Sequence, residues 1–165
     1  MKRSGFSMIE LVFVIVILGV LAAVAVPRFV TTRTDAQVAM LRSDIASVLK
    51  AIPARIFAEN LDPTSTTAPN GFSNWGEWMI DTGGLDRGRW VVANGNITPV
   101  VQNSSNNASP DNCGEIIDID NNTGNLIFDP SKLTTTNTLC ATLKKSYPSN
   151  SNRIIPLATT GAVKF

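Results

Sequence analysis

The chain has 165 residues, enough for one ordinary domain plus a terminal segment and too few for two comfortable domains. Fourteen Lys and Arg against thirteen Asp and Glu leave a formal charge of +1, which is no electrostatic footprint for nucleic acid. Histidine is absent, so a Ser-His-Asp site, a Cys-His site and a zincin-type metal centre are all excluded.

Residues 1–5, MKRSG, form a short basic stub ending in glycine. From Phe6 to Val26 the only strongly polar residues are Ser7 and Glu10. As a helix that run reaches roughly 30 Å, enough to cross the hydrocarbon core of a bilayer. Lys2 and Arg3 before it are predicted to hold the N-terminus in the cytoplasm. Glu10 is the anomaly, because a carboxylate in lipid costs about 2.5–3.5 kcal/mol.

The helical pattern does not stop at Pro27. Val38, Leu41, Ile45, Val48, Ile52 and Ile56 recur at spacings of three and four, predicting an amphipathic helix over 27–58. Pro27 and Pro53 are expected to bend it, since each removes one backbone hydrogen bond. A helix of that length must find partners beyond its own domain for half of its surface.

Residues 59–165 are predicted to form a small antiparallel α+β head. LDPTSTTAPNGFSN (61–74) reads as a loop, and Trp75, Trp78 and Trp90 as core. RWVVA and NITPVV flank Asn94-Gly95 as a two-residue hairpin, and IIDID and NLIFD repeat that logic around Asn121 to Gly124. QNSSNNASPDN (102–112) reads as a polar loop, 138–146 as a short helix and 153–165 as a last extended piece. Cys113 and Cys140 do not form zinc-ribbon pairs. Outside the cytoplasm they favour one disulfide worth roughly 3–4 kcal/mol, with two separate buried thiols as the other reading.

No motif points to catalysis or to a cofactor. Asp118, Asp120 and Asn122 alternate as in a calcium loop, but glycine arrives one place late and the terminal acidic residue is missing, so a hairpin turn explains them better. GGLDRG (83–88) precedes no apolar helix that would aim at a phosphate.

The N-terminal combination is different. A basic stub, Gly5, Phe6, Glu10, an unbroken apolar helix and Pro27 at its far end closely resemble the class III signal of type IV pilins and of the pseudopilins of type II secretion. The resemblance is strong over residues 1–58 and only architectural beyond residue 60. It implies a leader at 1–5, cleavage between Gly5 and Phe6, N-methylation of Phe6, and a membrane and filament-core segment at 6–26. The fold it implies is α+β, a long helix packed on an antiparallel sheet. It also implies a single-pass inner-membrane precursor, a prepilin peptidase and methyltransferase, an assembly platform, and further copies or minor subunits as partners. A head disulfide between Cys113 and Cys140 is usual in pilus subunits and irregular in pseudopilins.

Physical reasoning accounts for Glu10 in the same setting. After cleavage the Phe6 amine stands at a helix start with Glu10 four residues on, over the same face. Within a chain the two charges neutralise each other in part. Between chains an incoming amine meets Glu10 of a neighbour at only one axial register. The competing readings are a soluble exported protein cut after Ala23-Val24-Ala25, and a monomeric single-pass protein with an enzymatic head. Snorkelling of Glu10 to the membrane interface is the bland alternative for that residue.

Overall fold

The computed structural model describes residues 7–69, 71–101, 111–148 and 151–158, excepting the side chains of 24–32 and of Asp111. Helix α1, Met8–Glu59, spans 52 residues. The chain divides into two compact units, Met1–Ala36 and Gln37–Phe165.

In the first unit the backbone of α1 is helical through Pro27, as a pattern that does not stop there predicts. The bend expected at Pro27 falls on residues 24–32, outside the described side chains. From Met8 to Leu21 the large apolar side chains are all exposed, Met8 at 85% and Ile17, the least exposed, at 42%. No face of this stretch is preferred. A helix that is apolar all round belongs in lipid or inside a protein assembly.

In the second unit α1 is amphipathic. Val38, Leu41, Ile45, Val48, Ile52 and Ile56 are buried in one continuous core with the head, each worth about 1.5–3 kcal/mol relative to exposure. Their spacing puts all six on one stripe, which is the face expected from the sequence.

The head that meets this stripe begins with α2, Trp75–Gly83. Sequence periodicity does not announce this helix, but its end signals are local. Asn74 caps the N-terminus by accepting the Glu77 N–H at 2.9 Å. Gly84 ends the helix in the left-handed region at φ 61°. At nine residues α2 is too short for periodicity to declare it. It lies so close to α1 that a Cβ on Gly83 would collide with Val48.

Among the described residues six strands follow: β1, Trp90–Ala93; β2, Asn96–Val101; β3, Asp111–Asn112; β4, Ile117–Asp120; β5, Asn125–Phe128; and β6, Arg153–Pro156. The main path is β1-β2-β4-β5-β6, with β3 paired to β2, and every pairing is antiparallel. Asn94 and Gly95 turn the first hairpin with φ of 50° and 84°, the double positive φ that a tight hairpin needs. Ile117, Ile119, Leu126 and Phe128 alternate onto the core face, as period two requires.

The polar stretch 102–112 needs one correction. Its last two residues form β3, opposite Val100 and Val101. The strand is only Asp111 and Asn112, both polar, so no apolar pattern announces it. The loop before α2 is also pinned: Asn121 donates to the carbonyls of Pro63 and Ser65 at 2.8 and 2.9 Å. Trp75 donates to the Ser65 carbonyl as well, at 2.8 Å. Helix α3, Thr138–Lys145, lies where the sequence placed a short helix.

One polar contact ties α1 to the sheet inside the core. The indole N–H of Trp90, a fully buried residue, donates to the Asp44 carboxylate at 2.8 Å, and Arg89 pairs with the same oxygen at 3.2 Å. Replacing Asp44 with Ala leaves a buried donor unpaired, which costs about 1–3 kcal/mol. Chemical denaturation of Asp44→Ala should show that loss, with Asp44→Asn recovering part of it.

Candidate functional site

The feature that needs explaining is the start of α1. Ser7 precedes the helix and its backbone N–H donates to Glu10 Oε2 at 2.9 Å. The Ser7 carbonyl accepts from the Glu10 and Leu11 amides at 3.0 and 3.2 Å. This is the reciprocal half of a capping box, with Glu10 at the third helical position reaching back to the cap. The signature S-x-x-E is plain in Ser7-Met8-Ile9-Glu10 and marks a cap besides the chain-end pairing expected of Glu10. A carboxylate near a helix N-terminus is also favoured by the helix dipole.

The cap does not exhaust Glu10. A carboxylate has about four lone-pair sites on two oxygens, and the residue is exposed. It keeps capacity for a further donor. Gly5 and Phe6, expected as the cleavage pair, lie outside the described residues. So does the Pro27 side chain.

Around and beyond Glu10 the exposed surface is apolar. Among the described residues no helix is long and apolar enough to cross a membrane. The described side chains of the apolar run end at Ala23, whereas the run in the sequence continues to Val26.

In the head, Cys113 and Cys140 form a disulfide with a Cα separation of 5.2 Å, both residues fully buried. It fastens α3 to the segment leading into β4. Asn137 caps α3 by accepting the Cys140 N–H at 2.8 Å. Lys144 donates from the other end to the carbonyls of Leu133 and Ser131 at 2.6 and 3.2 Å.

The Asp-rich hairpin is a turn, as its spacing indicated. The Asp120 carboxylate accepts from the Thr123 hydroxyl at 2.6 Å and the Asn122 amide at 3.0 Å, and these bonds hold its pKa below the usual value. Burial pushes the Asp118 carboxyl the other way, against the attraction of Lys132. Among the described residues no group of three or more Cys, Asp or Glu side chains is placed to hold a metal ion.

Comparison with known proteins bears on the N-terminal segment. Residues 1–26 match the prokaryotic N-terminal methylation motif. Over 51 residues, 31% of this chain, the sequence is 47% identical to the type IV narrow pilus major component PilA5 of Thermus thermophilus. Over 51 residues it is 39% identical to the type II secretion system core protein G of Pseudomonas aeruginosa. The matches span 44% and 36% of those two relatives, so the chain covers less than half the length of each. No solved structure matches. The chain carries an N-terminal methylation motif joined to an α+β head, and over part of its length it is similar to a type IV pilus component and to a type II secretion core protein.

The disulfide closes a loop of 27 residues, for which chain-entropy reasoning gives about 3–4 kcal/mol. A Cys113→Ser, Cys140→Ser double variant should lose that much in urea denaturation. Reduction of the unaltered protein should reproduce the loss.

Proposed function

We propose that this chain is a structural subunit of a type IV pilus-like filament. The observation that carries the proposal is the exposed apolar surface from Met8 to Leu21, set beside a single carboxylate in the first turn. The methylation motif over residues 1–26 and the similarity to a pilus major component support it.

The precursor sits in the inner membrane through residues 6–26, with the basic leader in the cytoplasm and the head outside. A prepilin peptidase cuts between Gly5 and Phe6 and the new Phe6 amine is methylated. Removal of MKRSG uncovers a positive chain end at the helix start. An amine and a carboxylate about 4 Å apart at an effective dielectric near 20 attract by about 4 kcal/mol, comparable to the cost of Glu10 in lipid. Glu10 has capacity for that donor besides Ser7. An incoming amine thus finds its partner on a neighbour at one axial offset, and the apolar helices pack around the pair. Pro27 bends the helix between its membrane and amphipathic parts. The role is structural and calls for no catalysis and no cofactor.

A second reading, a pseudopilin that drives protein export, is favoured by the similarity to core protein G. It uses the same N-terminal chemistry.

Glu10→Gln separates register from capping, because a glutamine serves a capping box while lacking the charge. The variant should insert in membranes normally and give filament yields at least tenfold lower, tenfold being about 1.4 kcal/mol. Normal assembly of Glu10→Gln would reduce Glu10 to a helix cap. Scoring the same strains for surface fibres and for exported protein distinguishes the pilus from the secretion reading.

A further inference from the structure

The head has a cavity of about 610 Å³ between the amphipathic part of α1, β6 and the segment after α3. That volume is in the range of ligand sites. Its floor is apolar, from Leu49, Phe128 and Ile155, and its rim carries Arg42, Lys50 and Arg153. Leu49 and Ile155 are only partly buried, so the floor offers apolar surface to an occupant. No acidic residue lines the cavity among the described residues.

The rim cations are unspent. Among the described residues none of the three has a carboxylate partner. Arg42 lies over the Tyr147 ring at 5.7 Å, a contact that orients it without neutralising it. Several carboxylates of the same unit are committed elsewhere, while Asp62, Asp120 and Asp129 cap their own turns. Asp44, Glu59, Glu77, Asp81 and Asp86 each pair with an arginine outside the cavity. Glu115 is held by Asn94 and Asn96. Three cations and no lining carboxylate call for a negatively charged occupant.

The spacing of the cations defines the complement further. Arg42 and Lys50 lie on one helix, about 12 Å apart along its axis at roughly 1.5 Å per residue. One small headgroup does not reach both. An extended peptide rises about 3.3 Å per residue, so carboxylates four residues apart match that span with apolar residues between them. Beside the cavity β6 pairs with β5 alone among the described strands, leaving its other edge unpaired. Ile154 on β6 is 64% exposed. A sheet edge beside a lined groove is how extended segments are commonly received.

We propose that this cavity is a binding site for an extended acidic-apolar peptide segment of another protein. Arg42 and Lys50 take its two carboxylates, Arg153 covers it from across the groove, and Leu49, Phe128 and Ile155 take the apolar side chains between.

The test uses the full chain in neutral detergent micelles and fluorescence anisotropy of a labelled, end-blocked peptide Glu-Val-Leu-Val-Glu. The uncharged Gln-Val-Leu-Val-Gln peptide and decanoate are the comparison probes. The acidic peptide should bind about tenfold or more tightly than the uncharged one, and its affinity should fall as salt rises. Lys50→Gln with Arg153→Gln should weaken it by about tenfold with the melting transition unmoved, while Lys50→Arg retains binding. Should that double variant be unstable, the salt titration and the peptide comparison on the unaltered chain decide. Equal binding of both peptides, no effect of salt, or an unchanged affinity in a folded double variant overturns the proposal. Decanoate bound where the acidic peptide is not also overturns it, and makes the cavity a site for small amphiphiles.

Discussion

One helix carries two incompatible demands on its surroundings. In the second unit α1 presents a single apolar stripe, and the head covers it from Val38 to Ile56. In the first unit it presents apolar side chains in every direction, and nothing among the described residues covers them. Each such side chain left in water forgoes about 1.5–3 kcal/mol. Surface of that kind is stable only in lipid or against other helices, so the function follows from where it is hidden. A single carboxylate stands in that surface, Glu10, which accepts the Ser7 N–H in the first turn.

The head is built to hold its share of α1 without help. Asp44 reaches into the core to receive the Trp90 indole, and Arg55 joins Glu59 and Asp81 while lying 5.3 Å from the Trp78 ring centre. Gly83 lets α2 approach Val48. The disulfide fastens α3 to the segment before β4, and Asn121 pins the loop at Pro63 and Ser65. Arg55, Arg87 and Arg89 are spent on ion pairs within the head. Arg42, Lys50 and Arg153 have no carboxylate partner among the described residues and share one cavity.

Local chemistry made much of the fold readable from the residues. The three-four spacing from Val38 to Ile56, the Asn94-Gly95 turn and the alternation in Ile117 to Asp120 each encode their own geometry. Helix α2 escaped because nine residues are too few for a period, although Asn74, Glu77 and Gly84 mark both its ends. Strand β3 escaped because it is two polar residues, too few to show an alternation. Long-range contacts were beyond reach in principle: Asp44 and Trp90 lie far apart in the chain, and the cations around the cavity come from α1 and β6. Ser7 and Glu10 show a different limit. Their spacing was legible as a cap and equally legible as a charge awaiting a partner, and one residue can serve both.

The account requires that the functional chain begin at Phe6, since the uncut leader leaves no free amine at the start of α1. Intact-mass spectrometry of the protein recovered from assembled material tests this directly. The expected species lacks MKRSG and carries one methyl group on the Phe6 amine. A working protein that still carries residues 1–5, or one that begins at Val26 after cleavage behind Ala25, contradicts it.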